Sequence, residues 1–169
     1  VGNKLAIADT YSAYRIIANT PEHIEFVIDY PPYPAGNDTI YESKHFWMDL
    51  GTYFYDVEAT VRTASGKDLI YAVGLTDFGH AEVTCNQSDG YLSLLEHIND
   101  ENGTIGGAIV ASPSDILDYR KIGNDQLICF SVKSGSKVRF RVGAGWSKDL
   151  RFDPIETKWL KHVQNSLLK

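Results

Sequence analysis

Apolar and polar positions alternate with a period of two along most of this chain. His23 to Tyr30 places Ile24, Phe26, Ile28 and Tyr30 on one face, the pattern of a strand with one face buried. Tyr41 to Leu50 sets Phe46, Met48 and Leu50 against Trp47 and Asp49. After Gly51-Thr52, the run from Tyr53 to Arg62 puts Tyr53, Tyr55, Val57, Ala59 and Val61 on one side and Asp56, Glu58, Thr60 and Arg62 on the other. One dry face and one charged face suit an antiparallel sheet. Asp68 to Leu75 is almost continuously apolar and predicts a central strand covered on both sides.

Turn residues divide the remainder. Pro31 to Asp38 holds three prolines and a glycine and predicts an ordered loop that presents Tyr33 on restricted backbone. Asp89-Gly90 predicts a hairpin joining Glu82–Asn86 to Tyr91–His97, although Leu92, Leu95 and Glu96 also fit a helix face. Asn99 to Gly107 reads as a polar loop, Ala108 to Val110 as a short strand, and Gln126–Val132 with Lys137–Val142 as a last hairpin around Ser134-Gly-Ser136. Only the end of the chain changes period. Ile155, Trp159, Val163 and Leu167 recur every four residues behind Asp153-Pro154 and Glu156, predicting a helix over 154–168 with Asp153 as N-cap, Pro154 at its first position and Trp159 in the core. The expected fold is mainly β: a single antiparallel β-sandwich of eight to ten strands over residues 1–169 with one C-terminal helix.

Composition narrows the function classes. The chain has 169 residues, a net charge of −6 and 20 aromatic residues by the sum of 10 Tyr, 7 Phe and 3 Trp. An acidic chain without a basic stripe argues against nucleic acid, and no apolar run is long enough for a membrane-spanning helix. The aromatic residues suit both a sheet and a sugar-binding surface. Cys85 and Cys129 are the two cysteines, and spacing leaves open a bridge or two thiols acting as small hydrophobes. There is no glycine-rich phosphate loop, no nucleophile elbow and no paired-histidine metal motif, so neither a cofactor nor a metal is expected.

Isolated chemistry remains. His80 leaves the Gly74–Leu75 strand end through Thr76-Asp-Phe-Gly79, where an imidazole can act as a base or can satisfy loop carbonyls. The segment from Arg141 to Lys148 leaves a strand through Gly143-Ala-Gly145 and then presents Trp146, Ser147 and Lys148. Two glycines permit close approach of another group. Trp146 then either stacks on a sugar ring while Lys148 pairs with a uronate carboxylate, or packs under the final helix.

Three stretches together carry a family resemblance: Val142 to Lys148 followed by Trp159, Trp47 to Tyr53 with its small-residue turn, and Tyr71 to Leu75 with His80 behind it. With them the chain resembles the C-terminal half of the DUF4861 family, bacterial proteins associated with polysaccharide breakdown, and Val1 to Leu5 is similar to a segment lying mid-chain in that family. The resemblance implies a galactose-mutarotase-like sandwich, a longer protein of which this is the C-terminal part, and an upstream segment or second chain packed on this one. It implies a periplasmic or extracellular protein with an oligosaccharide ligand. Two functions follow as expectations. The first is a lyase or hydrolase acting on uronate-containing oligosaccharides, with His80 and Lys148 catalytic and Trp146 and Tyr33 binding substrate. The second is a non-catalytic carbohydrate-binding or structural sandwich.

Overall fold

The computed structural model describes residues 4–168. It is mainly β, with two antiparallel sheets and one C-terminal α-helix. The chain divides into two compact units, Val1–Tyr71 with Phe130–Arg139, and Ala72–Cys129 with Phe140–Lys169.

The first unit holds β1 (Ala13–Asn19), β2 (His23–Asp29), β3 (Tyr33–Ala35), β4 (Asp38–Asp49) and β5 (Phe54–Thr63). Strands run in the order β1-β2-β4-β5, with β3 folded back on β4. The alternation in β5 is kept: Val57, Ala59 and Val61 are buried, while Asp56 and Glu58 pair with Arg139 and Lys137. Those two cations lie at the start of β12 (Lys137–Trp146). Phe26 and Phe46 stack at 5.0 Å across the β2–β4 register. Edge strand β1, which the alternation did not reveal, leaves Tyr14, Ile16 and Ile17 exposed.

The second unit contains β7 (Glu82–Asn86), β8 (Tyr91–Asn99), β9 (Gly103–Ala111), β10 (Ile116–Ile122), most of β6 (Leu69–Thr76) and β11 (Asp125–Val132), the later part of β12, and α1 (Ile155–Asn165). One sheet runs β12-β9-β8-β7 and the other β10-β11-β6. Successive glycines show how this unit is layered. A methyl group on Gly106 would strike the Trp159 ring of α1, whereas one on the next residue, Gly107, would touch Leu75 of β6. Neighbouring strand residues point to opposite faces, so α1 covers one face of β8, β9 and β12 and β6 lies over the other. The dry centre is Leu92, Ala108, Ile109, Val110, Ile128 and Cys129. Both cysteines are free, Cys85 exposed and Cys129 buried.

Several sequence expectations change. There are twelve strands among the described residues. The loop at Pro31–Asp38 contains β3, turned by Gly36 at φ 63°. The apolar strand β6 is a sheet edge, and the strands covered on both sides are β8 and β9. Of the β6 residues only Tyr71 is buried, and Ile70 is exposed, so the apolar run marked neither a central strand nor one covered on both faces. The polar loop after β8 is shorter than expected because Gly103–Gly107 pairs with β8 and β12.

The expected β11–β12 hairpin is instead a crossing between sheets. Its turn is tied to β5: Gly135 donates to the Val61 carbonyl at 2.8 Å, and the Thr63 N–H donates to Ser134 Oγ at 3.0 Å. At the helix start, Asp153 closes a short 3₁₀ turn over Leu150–Phe152, so Pro154 becomes the N-cap and no side chain caps α1. Trp159 is core, 2% exposed, as its four-residue spacing predicts.

Candidate functional site

Gly145 does not serve ligand approach. An added methyl at Gly145 would lie 2.8 Å from the Trp159 ring, and one at Gly106 2.7 Å. The two glycines make a slot in the sheet for that indole, whose Nε1 donates to Ser93 Oγ at 2.9 Å. Gly-Ala-Gly is therefore a packing feature, and the residue after it is turned to the other face.

That residue is Trp146. It is 47% exposed and does not pack under the helix. Register places Trp146 opposite Ile105 on β9, and Ile105 opposite Glu96 on β8. The three form one row across three strands on the face away from α1, with Trp146 and Glu96 about 10 Å apart at two strand spacings. The Trp146 Nε1 donates to the Asn102 carbonyl at 2.6 Å. Lys148 Nζ donates to the neighbouring Glu101 carbonyl, and Thr104 N–H to Ser147 Oγ at 2.9 Å. The Glu101–Thr104 turn thus fixes all three side chains of Trp146-Ser-Lys148. An ammonium carries three donors, so Lys148 retains capacity for an anion.

His80 approaches the same row by an unexpected route. Strands β6 and β12 lie in different sheets, so their ends do not meet side by side. The Asp77–His80 loop instead docks on Glu96. The buried Glu96 carboxylate accepts the Phe78 N–H at 3.0 Å and the His80 N–H at 3.2 Å. Asp77, also buried, accepts from Gln126 at 2.7 Å and Lys121 at 3.3 Å. Hydrogen bonds from Gln126 first, then Lys121 and the Gly79 N–H, hold its carboxyl below the usual range against the opposing effect of burial. His80 and Phe78 are exposed on this braced loop. The outcome is an exposed pair, Trp146 and Ile105, with Phe78 and His80 on the exposed loop docked at Glu96 and Lys148 on the exposed turn after β12. The buried carboxylate, Glu96, is spent on backbone N–H groups.

Tyr33 belongs to the first unit. It is half-buried, and its hydroxyl donates to Glu42 Oε2 at 2.9 Å. Buried Glu42 also accepts from the Tyr71 hydroxyl at 2.7 Å and pairs with Lys44 at 3.2 Å. Burial, then the Glu42 charge, pushes both phenols upward, so each stays a neutral donor. The Tyr33 hydroxyl is thus held in a hydrogen-bonded network around Glu42.

The sequence reading passed over a polar array on the other face of β4. Asp49 Oδ1 lies 2.6 Å from His23 Nδ1, His23 Nε2 lies 3.5 Å from Glu25 Oε2, and Glu25 Oε1 lies 2.7 Å from His45 Nε2. His45 leans on Trp47 at 5.0 Å, and the Arg139 guanidinium sits over Trp47 at 5.1 Å. The signal was in the alternation: His23 and Glu25 on one strand, and His45, Trp47 and Asp49 on the next, are each two apart. A helical spacing rule does not register this pattern, because it depends on the pairing of β2 with β4. No group of three or more His, Cys, Asp or Glu among the described residues is arranged to hold a metal ion, and no helix among them is long and apolar enough to cross a membrane.

Neither the curated proteins nor the solved structures provide a match to this chain. A family model described as a domain of unknown function, DUF4861, matches residues 1–167. The match runs through both units and nearly the whole length, and the chain belongs to the DUF4861 family.

Proposed function

We propose that this chain is a carbohydrate-active protein of polysaccharide breakdown, and that its second unit recognises acidic oligosaccharides on the Trp146 face. The observation that carries the reading is the half-exposed Trp146, fixed through its indole N–H and set in one row with Ile105 beside the braced Phe78–His80 loop. A rigid indole offers a sugar's C–H face an apolar platform at little entropic cost. Lys148, steadied by the Glu101 carbonyl, supplies a cation at the edge of that platform for a uronate carboxylate.

At these residues the geometry favours recognition over turnover. Proton abstraction next to a carboxylate needs a base and a cation converging on one enclosed point. Here Trp146 and His80 are exposed, and Glu96 is committed to the loop backbone. Calorimetric titration with uronate-containing and neutral oligosaccharides tests the reading. Trp146→Ala is expected to weaken binding of both by about 1–3 kcal/mol. Lys148→Met, which keeps the aliphatic stem, is expected to weaken only the acidic sugars. Unchanged affinity in Trp146→Ala would refute it.

A further inference from the structure

The turn between β8 and β9 holds Trp146 and Lys148, and it has a chemistry of its own. Asn102 is the one asparagine of the chain followed by glycine, and it lies exposed on that turn. Its backbone is engaged on both sides. The N–H donates to Asn99 Oδ1 at 2.7 Å, and the carbonyl accepts the Trp146 indole N–H at 2.6 Å. Among the described residues nothing hydrogen-bonds its side-chain amide. The amide carbon is therefore open to attack by the next backbone nitrogen, and Gly103 brings no Cβ to screen that nitrogen.

The fold keeps this labile pair in place. Gly103 has φ 71°, in the left-handed region that favours glycine. A Cβ there would collide with Ser147 Oγ, which is itself held by the Thr104 N–H at 2.9 Å. A bulkier residue that would slow the attack thus has no room at position 103. The other turn asparagines differ. Both ends of the Asn86 side-chain amide are tied to Asp89, at 2.9 and 3.0 Å. Asn37, Asn99 and Asn124 are each followed by aspartate, whose side chain crowds the backbone nitrogen and whose charge opposes its deprotonation.

We propose that Asn102 is a site of spontaneous deamidation, and that its conversion loosens the turn that holds Trp146 and Lys148. The Gly103 nitrogen gives up its proton and attacks Asn102 Cγ. A carbon–nitrogen bond forms, the bond from Cγ to the amide nitrogen breaks, and ammonia leaves, the proton lost by Gly103 being made up on it. Water then opens the five-membered imide. Attack at Cγ breaks the new bond and gives aspartate. Attack at the main-chain carbonyl carbon breaks the original peptide bond and gives isoaspartate, with the chain now running through the side-chain carbon. Water is the co-reactant in both branches.

Each product acts on what the turn holds. Either one places a carboxylate next to Glu101, whose carbonyl receives Lys148 Nζ, and the new charge draws the ammonium toward itself. Isoaspartate also lengthens the main chain by one carbon. The carbonyl that received the indole N–H becomes a free carboxylate, so the acceptor of Trp146 Nε1 leaves the main chain. The weaker grip on an acidic sugar that follows rests on the recognition reading above; the conversion and the loosening do not.

The folded chain is incubated in mildly alkaline buffer. Peptide mass spectrometry with electron-transfer fragmentation locates the amide-to-acid mass gain and separates isoaspartate from aspartate. Conversion is expected at Asn102, as both products, while Asn37, Asn86, Asn99 and Asn124 keep their amides. In proton–nitrogen correlation spectra of the same samples, a second Trp146 indole peak should grow at the rate of conversion. Asn102→Gln, whose longer side chain would have to close a six-membered ring, should show neither change and keep the fold. An Asn102 that retains its amide in the folded chain while converting in denaturant overturns the site. Conversion that leaves the Trp146 indole peak single overturns the loosening. Both measurements are made without sugar, so absence of oligosaccharide binding by the unconverted chain is a separate result that bears on the recognition reading alone.

Discussion

Gly106→Ala probes the slot that seats Trp159, and its cost can be worked from the structure. The added Cβ would stand 2.7 Å from Trp159 Cδ2 and Cε2 and 2.9 Å from Cγ. Unstrained carbon contacts lie at about 3.5–4.0 Å, so the ring or the strand must move by about 1 Å. The ring has little room, since Ser93 Oγ holds its Nε1 at 2.9 Å and Phe152 packs edge-on at 5.8 Å. Overpacking of this kind costs about 1–3 kcal/mol, and the lower backbone entropy of alanine offsets about 0.5–1 kcal/mol of it. A net loss of about 1–2 kcal/mol is expected in urea unfolding followed by circular dichroism. In a Trp159→Leu background the same substitution should cost less, because the ring it strikes is gone. Wild-type stability in Gly106→Ala, or additive losses in the double variant, would refute the packing assignment of these glycines.

Three further outcomes follow from the local chemistry. Glu96→Ala removes the acceptor of the Phe78 and His80 N–H groups, so amide exchange in that loop should accelerate and stability fall by up to about 1–3 kcal/mol, whereas unchanged protection would contradict the bracing role. His23 has its pKa raised above 6.5, chiefly by the Asp49 hydrogen bond, with Glu25 adding to it. That contribution is fully present below about pH 6.5 and is lost as pH rises through the folded value, so Asp49→Asn should flatten the alkaline decline measured by denaturant unfolding, and an unaltered decline would contradict it. Burial raises both thiols, Cys129 to about 11, but only Cys85 is exposed; iodoacetamide should add once to the native chain, slowly and at Cys85, and twice in denaturant, with equal native labelling of both as the contrary result.

The period-two alternation made β2, β4 and β5 legible because each has two unlike faces, and the Asp89-Gly90 turn marked β7 and β8. It missed β1, whose outward Ile16 and Ile17 break the pattern. It also missed β10, where Asp118, Arg120 and Lys121 interrupt the apolar residues. Sheet membership was not legible at all. The Ser134–Ser136 turn has the composition of a hairpin, and only its hydrogen bonds to β5 reveal a crossing. The glycines before Trp146 were visible as a demand for space, but the occupant, Trp159, lies fourteen residues beyond Gly145 and on another element. His23, Glu25, His45 and Asp49 were individually plain, yet their convergence depends on the β2–β4 register, which no local pattern encodes.

The recognition claim is tested most directly by the Trp146 indole itself. Its N–H donates to the Asn102 carbonyl at the edge of the proposed platform, so its cross-peak in a proton–nitrogen correlation spectrum reports on that surface. Adding a uronate oligosaccharide should shift this peak saturably, together with the amides of Gly103, Ile105, Phe78 and His80. A Trp146 peak that stays fixed while saturating oligosaccharide is added would contradict the account.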